Sequence, residues 1–440
     1  MKSRRLISLL LVVTSCALAQ SPQPLSVPDT LDLPTALRFA LDNSFTIRQA
    51  RERIKQQEGV IVEVKARSIP NVTAAGAYQL NQKDISQSLP SSDRYWSMSL
   101  TASQSIYAGG GVRASIKSSE LTREAALLEL KGVVNETLLD VRIKFYDILL
   151  AREKIKVQES NVELLRQQLK NVTDRFDAGT VSAFEKLRAE VALANAQVPL
   201  ISARNAYRLA AEALRQALGF ATSSQESLRK LPVFEGSLEF IPVNYELQSA
   251  LDSARAGRPE LARLAKLADA RSESITSAKA NRQPSLSAVG GWQLRKGSTD
   301  SFGDSRDGWL VGLQSQWNIF DGAATTGRVA QARSALEQAR LNLGEVTLLI
   351  DVEVRRALSS LQEATELADA SQKVVAQAEE SLRLANARYS AGTATQLDVL
   401  QTQVDLTTAR TNQIQAYYSY NIAVARVRKS IGQPDAVVSN

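Results

Sequence analysis

The chain has 440 residues and a formal net charge of +7, and its composition narrows the function before any motif is considered. It contains no His and a single Cys, which excludes His-dependent acid–base catalysis, His-containing triads and the common zinc sites. Hydrophobic residues make up 44% of the chain but aromatic residues only 5%, so Ala, Leu and Val must form the core, as in closely packed helices. The composition therefore does not favour an enzyme.

Residues 1–19 have the features of a secretory signal peptide. Basic residues precede an apolar run from Leu6 to Val13, and Ala17-Leu18-Ala19 follows as a cleavage site. Cys16 also ends a sequence similar to a bacterial lipobox, so two fates stay open: loss of Cys16 with the signal, or lipidation of Cys16 as the new N-terminus. Both predict an exported chain. Its remaining charges are interleaved along helices, so we expect no nucleic-acid partner.

A helix and two strands are predicted next. The helix runs from Pro34 to about Arg67, because apolar residues recur at helical spacing until Pro70 stops them. The first strand covers Val72 to Leu80. No later apolar run approaches the roughly 20 residues of a spanning helix, so a membrane crossing would have to use strands. The second strand alternates Ser and Thr with Trp96, Met98, Leu100, Ala102 and Ile106.

The following segment predicts a very long helix, a tight turn and a return helix. From Val112 to Phe176 there is no Pro and apolar residues keep a spacing of three and four, which gives a rod of roughly 100 Å. Ala178-Gly179-Thr180 then forms the turn, because Gly adopts the left-handed conformation at low cost. The return helix runs from its cap, Ser182, to Leu218, with Pro199 as the expected kink or bulge.

The two halves of the chain are related by a long repeat. Four landmarks recur at an offset of 213 residues, far longer than the repeats of solenoid proteins. We therefore predict a first repeat over residues 20–219, a linker over 220–243, a second repeat over 244–432 and a tail over 433–440. The matching positions are Trp96 and Trp309, Tyr107 and Phe320, residues 176–180 and 389–393, and Gly219 and Gly432.

The second repeat predicts the same elements as the first. Leu286 to Leu294 and Trp309 to Ile319 alternate as strands, and Thr325 to Tyr389 and Thr395 to Ile431 form the second helical hairpin. Four tryptophans on the apolar sets suit the aromatic belts of a membrane barrel, and a soluble two-layer sheet is the alternative. These tryptophans are Trp96, Trp292, Trp309 and Trp317.

Four strands do not close a barrel by themselves. A closed membrane barrel needs about eight strands, since an open edge in lipid leaves backbone groups unpaired at several kcal/mol each. Three copies supply twelve strands, whereas two would give a barrel without a duct. The expected fold is mainly α with a small β part: long helical hairpins form an α-barrel, and four strands per protomer enter a trimeric twelve-stranded transmembrane β-barrel.

The chain resembles the TolC-type outer-membrane efflux proteins over nearly all of its mature length. The resemblance rests on residues 31–43, on residues 66–71, on the strand-to-helix turns and on the tip motifs Phe-x-Ala-Gly-Thr and Tyr-x-Ala-Gly-Thr-x-x-x-x-Asp-Val-Leu. It implies a homotrimer in outer-membrane lipid whose α-barrel crosses the periplasm and meets a periplasmic membrane-fusion adaptor and an inner-membrane pump. The implied function is a passive exit duct for efflux or type I secretion. A helical scaffold or adaptor anchored through Cys16 is the alternative.

The same resemblance assigns a gate just beyond the helix tips. Asp398 and Glu185 match the acidic positions of the family, and three copies would bring six carboxylates to a narrow mouth that favours cations. The alternative is an ordinary acid at a helix start, stabilised by the helix dipole. Tyr389 would tie the closed tips through Glu185. Gln401 and Ala394 stand where the family has an acid and an arginine, so we expect a leakier, less cation-selective resting state.

The tips themselves are the expected docking site of the adaptor. Small side chains leave grooves for an incoming helical hairpin, whereas a plain turn would explain the Gly but not the repeated Ala and Thr. We assign no catalytic residue, cofactor or metal, because the acids are spread along solvated helix faces. The docking residues are Ala178, Gly179, Thr180, Ala391, Gly392 and Thr393.

Overall fold

The computed structural model describes residues 30–80, 94–220, 232–296 and 303–433, and this part of the chain is mainly helical with one small sheet. The predicted signal peptide and Cys16 lie outside it. One order of elements occurs twice. The first half comprises β1 (Thr30–Leu31), α1 (Leu33–Asn43), α2 (Phe45–Ala66), β2 (Asn71–Leu80), β3 (Arg94–Ala108), α3 (Gly111–Asp177) and α4 (Ala183–Leu218). The second half comprises β4 (Val233–Phe234), α5 (Leu247–Gly257), α6 (Pro259–Ala280), β5 (Ser285–Lys296), β6 (Ser305–Gln316), α7 (Ala324–Ser390) and α8 (Gln396–Ser430).

Two long hairpins dominate the molecule and confirm the helices predicted from the sequence. α3 and α7 have 67 residues each, about 100 Å. α4 and α8 return with 36 and 35 residues, and α4 continues through Pro199. Each return helix starts at a side-chain cap that accepts a backbone N–H from three residues further on, Ser182 as predicted and Thr395 at the second tip. No helix in the described ranges is long and apolar enough to cross a membrane.

Each hairpin has a separate apolar core where a short helix packs across it. In the first half, Leu37 of α1 packs with Phe145 of α3 and Leu214 of α4, and all three are 1% exposed. In the second half, Leu251 of α5 packs with Val354 of α7 and with the C-terminal part of α8. Alanine fills many of the remaining core positions. Small side chains let the helix axes approach closely, as the composition predicts.

The prediction of one helix from Pro34 to Arg67 is wrong, because the chain leaves the helical conformation at Ser44, where ψ is 126°. The end of α4 explains the break. Gly219 lies so close to the carbonyl oxygen of Asn43 that a β-carbon on it would be 2.5 Å away. In the second half, Gly432 lies similarly close to the backbone at the junction of α5 and α6. Packing between segments that are distant in the sequence causes this break, and the residues around Ser44 do not predict it.

The segment between the two halves packs along both hairpins. β4 pairs in parallel with β1. Arg152 of α3 donates a hydrogen bond of 2.8 Å to the carbonyl oxygen of Phe234. Further along, the N–H of Val243 donates to the hydroxyl of Tyr420 on α8 at 3.1 Å. The described part of residues 220–243, predicted as a linker, is therefore bound to both halves.

The strands β2, β3, β5 and β6 form one antiparallel sheet in that order. Their register aligns the predicted apolar sets on one face and leaves mainly small and polar side chains on the other. One row of the apolar face consists of Ala74, Leu100, Trp292 and Trp309. The adjacent row on the opposite face consists of Ala75, Ser99, Gln293 and Gly308.

Two details of the strands differ from the prediction. β6 ends at Gln316, because β5 begins opposite this residue, so Trp317 and Ile319 lie beyond the strand. In β3 the register with β5 shifts at Ile106, which is the extra residue of a β-bulge. Tyr107, not Ile106, therefore continues the apolar face.

Candidate functional site

Each long helix ends in the same hydrogen-bonded turn. At the first tip, Gly179 has a φ of 73° and its N–H donates to the carbonyl oxygen of Phe176 at 2.9 Å. The N–H of Thr180 donates to the carbonyl oxygen of Arg175, also at 2.9 Å. The second tip repeats both bonds around Gly392, whose φ is 75°. This pair of bonds is the Schellman motif, which satisfies the last carbonyl groups of a helix.

The threonines of the tips have a local role that the sequence did not reveal. The hydroxyl of Thr180 donates to the carbonyl oxygen of Arg175 at 2.9 Å, and that of Thr393 donates to Arg388 at 3.1 Å. Helix capping thus explains the repeated Thr as well as the Gly, and only the repeated Ala is left without a local reason. Apart from the adjoining residues of the turn, no atom of the described chain lies within 4 Å of the place where a β-carbon would sit on either tip glycine. The exposed tip residues are Ala178, Gly179, Thr180, Ala391, Gly392 and Thr393.

Asp398 and Glu185 both lie at the third position of a return helix. The Asp398 carboxylate accepts hydrogen bonds from the N–H and the hydroxyl of Thr395, both at 2.8 Å, and the Thr395 oxygen accepts the Asp398 N–H at 3.3 Å. These bonds and the nearby charge of Arg388 lower the pKa of Asp398. Glu185 donates its N–H to Ser182 at 3.4 Å. Asp398 is therefore a helix cap whose ionised carboxylate is still on an exposed residue.

Tyr389 has no hydrogen bond to Glu185 within the described residues of one chain. Its hydroxyl oxygen is buried and lacks a partner there. The guanidinium of Arg175, at the end of α3, lies 5.1 Å from the centre of the Tyr389 ring. Gln401 is exposed, and its amide donates to Asp405 at 3.0 Å. Within one chain the contact between the two tips is therefore a cation–π contact, and the latch between Tyr389 and Glu185 stays a prediction.

A polar cleft of ≈ 570 Å³ lies beside Tyr389, between the ends of α3 and α7 and the start of α8. The amide nitrogen of Gln168 is buried in this region without a partner in the described chain. Gln396, one turn before the cleft on α8, is 4% exposed, and neither of its amide atoms has a hydrogen-bond partner among the described residues. An unsatisfied buried polar group costs about 1–3 kcal/mol. The sequence analysis did not single out either glutamine, because Gln168 lies outside the tip motifs and Gln396 occupies an unspecified position within one.

Aromatic side chains mark both ends of the apolar sheet face. Trp309 is 80% exposed, and Trp317 donates its indole N–H to the carbonyl oxygen of Arg282. Eight residues separate them, about 26 Å along a strand, which matches the roughly 25 Å apolar band of membrane barrels. The end away from the long helices carries Tyr78, Trp96, Trp292 and Trp309. The end next to the long helices carries Tyr107, Trp317 and Phe320.

The family profile described as outer membrane efflux protein matches residues 36–220 and 250–433, one range in each half of the fold. The chain belongs to this family. Outer membrane efflux proteins are channels of the outer membrane with a long periplasmic extension. Members of the family are trimeric and act with a periplasmic adaptor and an inner-membrane pump.

Individual relatives agree with this assignment. Protein CyaE of Bordetella pertussis is 24% identical over 395 residues, which cover 89% of this chain and 82% of that protein. Outer membrane protein TolC of Vibrio cholerae is 22% identical over 370 residues, covering 83% and 82%. The crystal structure of the Campylobacter jejuni CmeC outer membrane channel matches with a TM-score of 0.78 at 17% identity, covering 93% of this chain and 88% of that one. The fold is that of the outer-membrane channel-tunnels.

Proposed function

We propose that this chain is the outer-membrane exit duct of a tripartite efflux or type I secretion system, a passive homotrimeric channel-tunnel gated at its helix tips. One observation carries the proposal: the sheet has one apolar face, and its outer strands β2 and β6 each lack a neighbour on one side within the described residues. In lipid an unpaired edge leaves backbone groups unsatisfied at several kcal/mol each. Strands of further copies remove this penalty, and three copies supply twelve.

An exposed seam on α4 supports the same assembly. Its apolar residues repeat every three and four positions, as the a and d positions of a coiled coil do, yet they face away from α3 and lie exposed. Exposed apolar residues seven positions apart also occur on α7, as with Leu341 and Leu348. Helices of neighbouring copies would cover these seams. The α4 seam consists of Phe184, Leu187, Val191, Ala194, Val198 and Ile201.

The gate in this proposal lies at the tips. Glu185 and Asp398 of three copies form a ring of six carboxylates, and an anionic ring favours cations. The buried hydroxyl of Tyr389 is a group that closure between tips would satisfy. Gln401 and Ala394 add no charge to the ring or latch, so the resting state is leakier than in relatives with charged residues at both positions.

The adaptor docks at the six tip residues in this proposal, because they are small and exposed and the two glycines among them have room for a side chain. A periplasmic scaffold anchored through Cys16 is the competing function. It gives no role to an apolar sheet face that carries aromatic side chains at both ends.

The test is the single-channel conductance of the detergent-purified full chain in planar bilayers. We expect small cation-selective steps, and larger, less selective steps from the double variant Glu185→Ala, Asp398→Ala. Thr395→Ala is the matched control, since it removes the helix cap but keeps both carboxylates, and it should keep the cation selectivity. An assembled oligomer without steps in any of these forms would favour the scaffold.

A further inference from the structure

We propose that Arg295 and Arg306 form a ring of positive charge at the outer mouth of the duct, and that this ring makes the mouth selective for anions. The inference rests on the proposed oligomeric duct. It adds to that duct the two residues that discriminate between ions at the end opposite the helix tips, and the class of solute that they favour.

The polar face of the sheet carries very little charge. Along β2, β3, β5 and β6 this face consists of alternate residues, nearly all of them Ser, Thr, Gly, Ala, Asn or Gln. Arg295 and Arg306 are the only charged residues on it within the described strands. The one acid in these strands, Asp307, lies on the apolar face, where it accepts the indole N–H of Trp292 at 3.4 Å. The charge on the polar face of the described sheet is therefore entirely positive.

The two arginines lie side by side. The register of β5 with β6 places Arg295 directly opposite Arg306, and the same row continues through Ser97 and Ala77. Both arginines are exposed. Opposed residues on one face are about 4.5–5.5 Å apart, and like charges at such positions destabilise a sheet. The stability of the hairpin therefore does not explain this pair, whereas a site that attracts anions does.

The pair lies at the end of the sheet that points away from the long helices. Arg295 follows Trp292 by three residues and Arg306 precedes Trp309 by three, which is about 10 Å along each strand. The tryptophans mark a border of the apolar band, so the arginines lie just beyond it. Because the long helices extend into the periplasm, this end of the proposed barrel faces the outside.

Cations on the other face of the same end have a different environment. Arg94 lies opposite Leu80, and Lys296 lies two residues after Leu294, so both belong to the apolar face. In a membrane barrel the apolar face meets lipid and the polar face lines the lumen. Arg94 and Lys296 therefore lie at the level of the lipid headgroups, whereas the opposed pair of arginines lies at the mouth of the lumen.

Three copies bring six guanidinium groups to this mouth. Twelve strands about 4.8 Å apart and tilted by about 40° give a backbone radius of about 12 Å, from which the side chains extend inward. The Debye length is about 10 Å at 0.1 M salt and about 30 Å at 0.01 M, so the field of the ring reaches the axis of the lumen. Rings of Arg or Lys favour anions in pores. The outer mouth therefore prefers anions, the opposite of the proposed ring of Glu185 and Asp398 at the tips.

Reversal potentials of the full chain in planar bilayers test the ring, under a tenfold KCl gradient that reaches about 0.1 M. The double variant Glu185→Ala, Asp398→Ala is the background, because it removes the acidic ring. We expect the weak selectivity that remains to be for chloride over potassium. Adding Arg295→Gln and Arg306→Gln should lower the ratio of chloride to potassium permeability at least about threefold.

Two further variants in this background show whether charge on the polar face is the cause. Arg295→Lys with Arg306→Lys keeps the charge and should keep the preference for chloride. Arg94→Gln with Lys296→Gln removes the same number of charges from the apolar face and should also keep it. At about 1 M KCl, where the Debye length is about 3 Å, the difference between the variants should shrink.

Three outcomes would contradict the inference. An unchanged permeability ratio in Arg295→Gln, Arg306→Gln would mean that acids of the connecting segments neutralise the ring, and the proposed duct would still stand. An equal fall in the variant of the apolar face would also overturn the ring alone. An assembled oligomer without steps in any of these forms would overturn both the ring and the duct.

Discussion

Arg258 is a buried cation at the junction of α5 and α6 that joins distant parts of the second half. It is 6% exposed and contacts Glu353 at 2.9 Å and Glu260 at 3.0 Å. Lys429 of α8 bridges Glu353 and Glu136, each at 3.1 Å. Breaking a buried ion pair costs more than an exposed one, because the remaining charge is left without compensation. This network therefore stabilises the contact of α7 with α8 and with the helix junction.

We predict that Glu353→Gln lowers the free energy of unfolding by about 1–2 kcal/mol at neutral pH, since Glu353 is itself partly exposed and solvent screens it. Burial raises the pKa of Glu353, but the hydrogen bonds and charges of Arg258 and Lys429 outweigh this and lower it below its ordinary value. The stabilisation is therefore present above that ordinary value and is lost as the pH falls through the lowered pKa. Thermal unfolding of both forms across acidic pH measures the difference.

The matched control for this prediction is Glu337→Gln. Glu337 and Arg340 form a pair at 3.8 Å on α7 in which both side chains are 63% exposed. We expect almost no change in the melting temperature at any pH. If Glu337→Gln lowers the melting temperature as much as Glu353→Gln does, burial of Arg258 is not the cause of the destabilisation.

Tyr389→Phe tests the latch at the tips. Because the hydroxyl is buried without a partner within the described chain, its removal relieves a desolvation penalty and should keep or slightly raise the melting temperature. If closure of the assembly gives it a partner, the variant should have a higher resting conductance. Tyr417→Phe is the control, since Tyr417 accepts a hydrogen bond of 2.8 Å from Gln372 inside one hairpin. It should not change the conductance. Equal conductance of Tyr389→Phe and the unmodified chain would place the latch elsewhere.

The helical hairpins are the elements that local sequence predicts best. Their signals are strong and local: an uninterrupted apolar periodicity, Ser182 as a cap, and Gly179 at a turn. The break at Ser44 had no such signal, because its cause is the approach of Gly219 from the far end of α4. At the tips, the acids were predicted by position, but the place of Arg175 over Tyr389 depends on how two hairpins pack.

At the same scale we predict that Gly219→Ala destabilises the protein more than Gly179→Ala. Both glycines have a positive φ, 76° and 73°, so either change costs about 1–2 kcal/mol in backbone strain. At Gly219 the new methyl group also meets the carbonyl oxygen of Asn43 at 2.5 Å, which adds about 1–3 kcal/mol, whereas open space surrounds Gly179. Thermal unfolding in detergent compares the two. Equal losses of stability in the two variants would show that the junction of α1 and α2 shifts to accommodate the methyl group without strain.

For the whole molecule, the apolar pattern predicts a longer strand than one chain can pair. The alternation continues from Trp309 to Ile319, yet β6 ends at Gln316 because β5 offers no further partner. The exposed seam of α4 likewise follows a coiled-coil repeat that nothing in the described chain covers. In both places the proposed neighbour is a second copy. The sequence therefore contains apolar segments whose proposed partners belong to other copies, and in a single chain these segments are exposed or unpaired.

Native mass spectrometry of the detergent-purified full chain measures how many copies assemble. We expect a particle of three chains, because three copies supply the twelve strands of a barrel wide enough for a duct. A stable particle of one chain or of two chains would contradict it.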